Sequence, residues 1–507
     1  MSRVIRVSIV VFWLACTAWL IRYEAFPERF TAVLPGYKAL LGGDLLVVDS
    51  WWKLSNGGHP VGYSRSWVEL QESNPVEHYV VENETLLNVN IMGFSQRLTF
   101  SAQSFLDIGY QLQRFTFSTQ AREYRTHIKG ERIRGTRFRV AIDSGGAEHV
   151  TYVEIPDDTI IYSPAMEMTL RDLDPGDDLT VRSFNPLTQE SMLVKIRALR
   201  REMLRVREQE ISTTVLSISS YGTDLLSWID SDGRVVRQES PLGVLEASTA
   251  DECLDLVLDR SAKPDLLLAT AVSCTGDIPD PRHARTLRIR LTGVSFSEEE
   301  LTTPRQRVES VSAQETVVFL QSSALPEPSS RRLLDPKEKT AALASSAFVQ
   351  SSDPRIVARA KEIVAGESDP AKMAQALSKW VDHSVENAPS IGLPSSVQVL
   401  EQLSGDCNEH TYLYVALARA LNLPAKIKVG LVYHEGAFYY HAWPAVYLGE
   451  WIEIDPTLAQ YTVDATHIAL MEGEIKEQLH LARIFGRLKI EILDVDGAPN
   501  PEPAPDA

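Results

Sequence analysis

The sequence predicts an α+β protein, in which an antiparallel β-rich domain precedes a C-terminal core of helices packed on an antiparallel sheet. Three observations support this class. Residues 51–242 alternate apolar and polar positions as half-buried strands do. After a Pro-rich stretch at 325–339 the apolar period becomes helical. Two further strand patterns then follow the last helix, an order typical of α+β folds.

The length and composition agree with several packed domains. The chain has 507 residues, which fits about three domains, and 44% of them are apolar. The sequence predicts the following division: 1–22, a signal-anchor or transmembrane segment; 23–50, a spacer; 51–250, the β-rich domain; 251–325, a mixed connecting region with strands; 326–350, a linker; 351–490, a catalytic domain; 491–507, a disordered tail.

The N-terminal segment is apolar and has a basic flank. Residues 4–21 are apolar except for Arg6 and two hydroxyl residues, and Arg3 and Arg22 flank them. A helix of this length nearly crosses a hydrocarbon core of about 30 Å. The basic residues should stay cytoplasmic, so we expect a membrane-anchored protein whose remaining chain is extracytoplasmic, either periplasmic or at the cell surface. A cleaved signal peptide and a lipidated Cys16 are alternatives, and both also export the chain.

The overall charge argues against one class of partner. The formal net charge is −18, and an acidic chain repels phosphates, so we expect no nucleic-acid binding. The closest approach to a basic stripe, 197–207, contains Glu202 and is followed by Glu208, which is typical of a solvated face. No cofactor is implied, and no EF-type calcium loop occurs in the sequence.

The β-rich region has strand and turn signals but no catalytic constellation. Residues 113–119 and 137–143 alternate so that one face is apolar. Asp232 and Gly233 lie between two apolar runs, a strong hairpin signal. We therefore expect an antiparallel sheet, a sandwich or a half-barrel, with a binding or spacer role.

The helical region begins with two similarly capped helices. Residues 352–366 and 368–381 start with Asp353 and Asp369 as N-caps, each followed by proline at the first helical position. A third helix should begin near Cys407. Two strands, 425–433 and a hairpin within 438–455, should follow it.

Cys407 is expected in the first turn of this third helix, because the apolar series Leu413, Ala416 and Leu417 follows it at helical spacing. The N-terminal end of a helix has a partial positive charge and free N–H groups. That environment should lower the pKa of the thiol, and the N–H of Cys407 could bind an oxyanion. Gly405 would let the chain turn into the helix.

A base and its orienting group are expected on the hairpin. His441 lies in one predicted strand and Asp455 at the end of the other, with the turn near Gly449. The position midway between them in the sequence, 448, matches that turn. Cross-strand pairing should therefore bring His441 and Asp455 within about 5 Å of each other. A thiolate nucleophile needs such a base, and the base needs an orienting group.

The motifs "GDCNEHTYLYVALARALNLPAK" and "HAWPAVYLGEWIEIDPT" resemble the core of the transglutaminase-like (papain-like cysteine hydrolase) superfamily, of the bacterial membrane-anchored type. The resemblance implies Cys407 as nucleophile, His441 as base and Asp455 as orienting residue. It also implies acyl transfer at amide bonds of a protein or peptide substrate. Two departures concern Ala445, where many members have an acidic residue, and the side-chain oxyanion donor, for which Gln402 is the candidate.

Two other readings of the same residues stay open. Cys407, His410, His441 and Asp455 could together bind a metal, although zinc sites more often have a second paired motif. The domain could also be an inactive binding module derived from this fold. His410 and His434 are competing candidates for the base, and His410 should face solvent or pack locally.

Cys253 and Cys274 are predicted to form a disulfide. They lie 21 positions apart in a segment expected outside the membrane, where disulfides form. This pairing would leave Cys407 free. Two unpaired buried thiols are the alternative.

Overall fold

The computed structural model describes residues 36–41 and 48–499. Short gaps within this range are 72–73, 75, 122–123, 163–169, 171–172, 207–208, 242, 259–262, 264, 266–267, 269, 313, 326–331, 391 and 497. The predicted N-terminal segment 1–22 and residues 500–507 lie outside the described residues. Within the described part of the chain, no helix is both long and apolar enough to span a bilayer.

A large antiparallel sheet forms the N-terminal part of the molecule. Its fifteen strands, counted over the described residues, are β1 (Val48–Asn56), β2 (His59–Leu70), β3 (Tyr79–Ile91), β4 (Phe94–Leu106), β5 (Leu112–Ala121), β6 (Tyr124–Arg134), β7 (Arg137–Ser144), β8 (Ala147–Glu154), β9 (Thr159–Ile160), β10 (Asp178–Asn185), β11 (Glu190–Val206), β12 (Gln209–Ser220), β13 (Thr223–Ile229), β14 (Val235–Ser240) and β15 (Gly243–Ser248).

Consecutive strands pair antiparallel, except for β8 and β9, which lie at the two ends of the sheet, and for the short β9, which lies parallel to β10. β1 also pairs with β15. The sheet order is therefore β8 to β1 followed by β15 to β9. The predicted alternation in β7 is confirmed, because Phe138, Val140 and Ile142 are all buried. The predicted hairpin at Asp232 and Gly233 is also confirmed, since it joins β13 to β14.

The remaining strands are β16 (Val272–Thr275), β17 (Thr286–Thr292), β18 (Gln306–Val311), β19 (Glu315–Gln321), β20 (Glu386–Asn387), β21 (Ser404–Gly405), β22 (Ala425–His434), β23 (Ala437–Tyr447), β24 (Trp451–Glu453), β25 (Ile468–Glu472), β26 (Lys489–Val495) and β27 (Ala498–Pro499). A second sheet has the order β18-β19-β17-β26-β16-β23-β22-β25, to which β24 and β27 are attached at β23 and β26. β20 and β21 form a short parallel pair.

This second sheet changes two predicted boundaries. β16 pairs with β23 and β26, so strands of the predicted connecting region 251–325 belong to the same sheet as the predicted catalytic strands. β26 extends to Val495 and pairs with β17, so residues 491–495 are not part of a disordered tail. The physical reason is that β26 is strongly alternating, with Ile490 and Ile492 buried.

The helices are α1 (Tyr37–Leu41), α2 (Ala250–Leu258), α3 (Glu298–Leu301), α4 (Pro336–Leu343), α5 (Pro354–Val364), α6 (Pro370–Ser384), α7 (Ser396–Gln402), α8 (Cys407–Ala420) and α9 (Ile475–Gln478), with 3-10 turns at Pro281–His283 and Leu479–Arg483. α4 lies inside the predicted linker 326–350. Asp335, Asp353 and Asp369 cap α4, α5 and α6 with their carboxylates, each before a proline. These caps satisfy N–H groups that have no intrahelical acceptor.

α8 is the central helix of the C-terminal part. Eleven of its fourteen residues are buried, and it contacts α5, α6 and α7 as well as β22 and β23. A helix that is buried on nearly all sides is held by tertiary packing rather than by one amphipathic face. The fold is therefore mixed α+β and strand-rich.

The large sheet contacts the region just before α8. The Tyr124 hydroxyl donates to the Ser404 carbonyl at 2.6 Å. Gln398 of α7 donates to the Arg125 carbonyl at 2.8 Å and accepts from the Ser144 hydroxyl at 2.9 Å. β6 and β7 thus lie against the segment that leads to Cys407.

The predicted disulfide between Cys253 and Cys274 is wrong, because both thiols are free. Cys253 lies on α2 and is buried with Tyr63 and Leu86. Cys274 lies on β16, where its thiol donates to the Gly436 carbonyl at 3.0 Å. The two residues pack in different elements, which close spacing in sequence cannot reveal.

Candidate active site

Cys407 is the first residue of α8, as the sequence predicted. The N-cap Asp406 accepts from the N–H of Asn408 at 3.0 Å, and the Glu409 carboxyl accepts from the Asp406 N–H at 2.8 Å. The first intrahelical bond runs from the His410 N–H to the Asp406 carbonyl. The N–H of Cys407 precedes that bond and by its position has no intrahelical acceptor.

Gly405 is required by close packing. A Cβ at this position would lie 2.2 Å from Cγ of Glu409, which is almost fully buried. Glu409 folds back against the chain to close the capping box, so no side chain fits at 405. The tight entry to α8 therefore follows from the Gly405-Asp406 pair together with Glu409.

α8 and β23 meet at Ala442. The Ala442 carbonyl accepts from the Thr411 hydroxyl at 3.0 Å, and the Ala442 backbone lowers the pKa of the Cys407 thiol. Next to it on β23, the Tyr440 hydroxyl donates to the side chain of Asn408 at 3.0 Å. These contacts bring Cys407 beside the residue that follows His441.

The pKa of the Cys407 thiol differs from the sequence expectation. Burial raises this pKa well above its ordinary value, the nearby Asp406 carboxylate raises it further, and the Ala442 backbone opposes this. Cys407 is only 8% exposed. The resting thiol is thus protonated, and deprotonation requires a base at the site rather than the helix end alone.

His441 and Asp455 are in direct contact. Nε2 of His441 lies 2.6 Å from Oδ2 of Asp455, and both side chains are buried. His441 lies on β23, but β24 ends at Glu453, before Asp455. The contact predicted from the hairpin exists, although the pairing that creates it differs.

The hairpin turns at Gly449, as the sequence predicted, but His441 and Asp455 are not paired directly across it. Ala445 pairs with Glu453 and Tyr447 with Trp451, which centres the turn on 449. The ladder then stops, and Asp455 forms an isolated bridge with Gln460. The bend that begins at Asp455 and is closed by its bridge to Gln460, rather than a regular cross-strand pair, brings the Asp455 carboxylate to His441.

All of the Asp455 acceptor positions are used. Oδ1 accepts from the N–H groups of Thr457 and Leu458 at 2.9 and 3.2 Å, and Oδ2 contacts His441 and His467. Burial alone would raise the pKa of Asp455, but the two histidines lower it below its ordinary value. Asp455 is therefore ionised and fixed in orientation.

His467 was not identified from the sequence. Its Nε2 lies 3.1 Å from Oδ2 of Asp455 and its Nδ1 lies 3.2 Å from Oδ1 of Asp464. Arg282 forms an ion pair with Asp464 at 3.0 Å. Asp464 and His467 lie three residues apart, shortly after Asp455 in the sequence. This spacing is the local sequence signal that could have pointed to the cluster.

Trp443 lies in the core beneath the histidine. It is fully buried and stacks on His441 with ring centroids 5.8 Å apart. Its indole N–H donates to Glu453 at 2.8 Å, and Arg305 donates to the same carboxylate oxygen at 2.7 Å. Glu453 is the strand partner of Ala445, so the neighbouring strand supplies an acidic group where the sequence at 445 has none.

The two competing candidates for the base, His410 and His434, have different surroundings. His410 is fully buried rather than solvent-facing, and its Nδ1 lies 2.7 Å from the Asp406 carbonyl. His434 is exposed at the end of β22. Gln402 ends α7, five positions before Cys407, and its role as an oxyanion donor stays a prediction.

The metal interpretation would involve different residues. Over the described ranges, one group of side chains has the geometry to hold an ion: His441, Asp455 and His467, whose ligand atoms lie within 4.8 Å of one another. Cys407 and His410 are not in this group. The hydrogen bonds already made by all three side chains use the same atoms that a metal would need.

The comparisons with known proteins agree with the site. Residues 357–456 match the model of the transglutaminase-like superfamily, so the chain contains a transglutaminase-like domain. This superfamily comprises domains of the thiol hydrolase and acyltransferase kind. The matched range includes Cys407, His441 and Asp455. No curated protein matches the chain.

Three solved structures are similar to parts of the chain. A candidate cysteine protease from Cytophaga hutchinsonii has 17% identity and a TM-score of 0.30, covering 44% of this chain and 95% of its own. A β-barrel-like domain of unknown function from Brucella abortus has 8% identity and a TM-score of 0.29, covering 40% and 95%. A candidate protease from Parabacteroides distasonis has 9% identity and a TM-score of 0.19, covering 68% of each chain. At such TM-scores these similarities carry no argument about function.

Proposed function

We propose that this protein is a thiol enzyme that cleaves or transfers amide bonds of proteins or peptides, with Cys407 as nucleophile, His441 as base and Asp455 as orienting residue. The observation that carries the proposal is the 2.6 Å contact between His441 and Asp455. The residue after His441, Ala442, accepts from Thr411, which lies one turn into the helix that begins at Cys407. A nucleophile at a helix N-terminus, a base and a fixed carboxylate are the parts that acyl transfer requires.

The chemistry follows from the ring atoms. Nε2 of His441 is bound to Asp455, so Nδ1 is the nitrogen that accepts the thiol proton. The thiolate adds to the amide carbonyl, and the N–H of Cys407 is in position to bind the oxyanion. Collapse breaks the C–N bond while His441 returns the proton to the leaving amine. The thioester is then attacked by water or by an amine, which loses a proton to His441.

The base is essential in this scheme because the pKa of the thiol is raised by burial. Without a base close by, few thiolates would exist near neutral pH. General-base catalysis of this kind contributes about 10²- to 10⁴-fold. The reactivity of Cys407 should therefore depend on His441 much more than the reactivity of an ordinary cysteine depends on any neighbour.

The test is alkylation by an iodoacetamide-type probe across pH, with sites mapped by mass spectrometry. Cys274 is an internal control, since it is a free, partly exposed thiol outside the site. We expect Cys407 to react faster than Cys274 near pH 7. His441→Ala should remove this advantage, Asp455→Asn should reduce it less, and Cys407→Ala should abolish covalent acyl transfer. His434→Ala, on the neighbouring strand, is the matched control and should change nothing.

Two outcomes would contradict the proposal. If His410→Ala and not His441→Ala removes the reactivity of Cys407, the base is misassigned. If Cys407→Ala supports the full biological role in cells, the inactive binding module is the better function.

The proposed location is outside the cytoplasmic membrane, with residues 4–21 as the anchor. The support is the basic flank before the apolar segment. Protease added to intact spheroplasts should digest the domain that contains Cys407. Complete protection of that domain would overturn the proposed topology.

A further inference from the structure

His467 is a buried titratable residue that the proposed reaction does not use. It is completely buried and directly precedes β25. Its ring contacts Asp455 through Nε2 and Asp464 through Nδ1. A carboxylate only accepts hydrogen bonds, so both ring nitrogens must carry a proton. The geometry thus requires an imidazolium between two carboxylates.

Asp464 is held as a carboxylate by several donors. Its Oδ1 accepts from both the N–H and the hydroxyl of Thr466, and its Oδ2 accepts from the amide of Gln460 at 2.8 Å. Arg282 lies 3.0 Å from the same oxygen. Positive and negative groups therefore alternate from Arg282 through Asp464 and His467 to Asp455.

The two histidines share one carboxylate oxygen. His441 and His467 both contact Oδ2 of Asp455, at 2.6 and 3.1 Å, and their ring centroids are 5.6 Å apart. The positive charge of His467 therefore offsets part of the negative charge that Asp455 places beside His441, and it favours a nearby thiolate. His467 thereby acts on both members of a thiolate-imidazolium pair, although it touches neither the nucleophile nor a substrate.

We propose that His467 is a positioning residue for the reaction: as a buried imidazolium it fixes Asp455 and offsets part of its charge, which tunes the proton affinity of His441. The role of His467 in a reaction rests on the proposed function, whereas its electrostatic influence on the proton affinity of His441 does not. Other groups that face His467 are the Trp443 ring, 5.1 Å away, and Arg305, which donates to the His467 carbonyl at 2.9 Å.

The test compares wild type with His467→Gln, using His434→Gln as the matched control. Glutamine can still donate one hydrogen bond to Asp455 but has no charge. Titration of His441 is followed by ¹⁵N-resolved NMR of the imidazole groups. The pH dependence of Cys407 alkylation is measured in parallel.

In His467→Gln we expect the His441 titration, and both limbs of the alkylation profile, to move to higher pH by about one unit. His434→Gln should leave all of them unchanged.

The wild-type NMR spectrum provides a second criterion. Both ring N–H groups of His467 should be present at pH 7. A neutral His467 in wild type, or an unchanged His441 titration in folded His467→Gln, would overturn the inference. If Cys407 is not activated by His441 in wild type, the proposed function fails, while the titration of His441 still decides the electrostatic role of His467.

A double variant covers the case in which His467→Gln does not fold. His467→Gln with Asp464→Asn removes one positive and one negative charge together. His467 contacts the carboxylate that His441 also contacts, whereas Asp464 lies one contact further away. Loss of the nearer positive charge should therefore outweigh loss of the more distant negative charge, so the His441 titration should still move to higher pH, by less than in the single variant. A shift in the opposite direction, or none, would overturn the inference.

Discussion

Glu453 lies below the proposed base and has two donors that come from different parts of the chain. Trp443 reaches it from β23, and Arg305 reaches it from the segment before β18. The Arg305 and Glu453 side chains are 5% and 3% exposed. Burial would raise the pKa of Glu453, but Arg305 lowers it, so the carboxylate is charged. A buried charge that loses its partner is strongly destabilising.

Arg305→Met should therefore lower the free energy of unfolding by about 3–5 kcal/mol, because it leaves Glu453 charged and without its cation. Arg305→Met combined with Glu453→Gln should recover most of this loss. Chemical denaturation of the three proteins measures the difference.

Arg307→Met is the matched control, two residues away on β18. Arg307 is exposed and pairs with Glu309 on the surface, and such pairs contribute about 0–1 kcal/mol. If the Arg305 and Arg307 variants have equal stability, the buried pair does not have the role assigned to it.

β6 of the large sheet is the element that contacts the approach to the nucleophile. Tyr124, its first residue, is buried and donates to the carbonyl of Ser404, which lies on β21 just before Gly405. β21 in turn pairs with β20. The position of the chain that enters α8 is thus fixed partly by a residue 280 positions earlier, at the start of β6. The two parts of the molecule are coupled at this point.

Tyr124→Phe should lower the free energy of unfolding by about 0.5–1.5 kcal/mol, the usual net contribution of one hydrogen bond. It should also slow alkylation of Cys407, since the residues that precede α8 lose a fixed contact. Tyr152→Phe, on the exposed side of β8, is the control and should alter neither quantity. Equal effects of the two variants would mean that β6 does not position the nucleophile.

For the molecule as a whole, the buried cluster of Asp455, His467 and Asp464 predicts how stability changes with pH. Burial lowers the pKa of His467, but its bonds to the two carboxylates outweigh this and raise it above the ordinary 6.5. A raised pKa means that the stabilisation is fully present below pH 6.5 and is lost as pH rises through the folded-state value. The pKa values of Asp455 and Asp464 are lowered, so their stabilisation is present above pH 3.8 and is lost as pH falls.

The free energy of unfolding should therefore be highest between pH 3.8 and 6.5 as far as this cluster is concerned, and should decline on both sides. Denaturation curves recorded across pH test this. In His467→Gln the decline on the alkaline side should become shallower, whereas His434→Gln should keep the wild-type slope. An unchanged alkaline slope in His467→Gln would contradict the prediction.

The free thiols give a prediction of covalent structure. Peptide mapping without reduction should recover Cys253 and Cys274 in separate alkylated peptides, because they pack in different elements. A peptide that links the two would contradict the structure and support the disulfide that the spacing first predicted.

The sequence by itself determined the features that depend on local rules. Asp353 and Asp369 before prolines predicted two helix starts, and Asp232-Gly233 predicted a hairpin, because capping and turn chemistry act within a few residues. The start of α8 at Cys407 and the His441–Asp455 contact were likewise predicted from short segments.

Only the tertiary structure decided the rest of the site. The thiol pKa is raised because burial and Asp406 outweigh the lowering effect of the Ala442 backbone, and burial is a property of the whole fold. His467 reaches Asp455 because the chain turns back after β24, where Asp455 bridges Gln460. Arg305 and β16 come from a segment that the sequence treats as a connection. β16 nevertheless pairs with β23, and Arg305 donates to the buried Glu453. Contacts between residues far apart in the chain depend on how the sheets assemble, and a local pattern contains no information about that assembly.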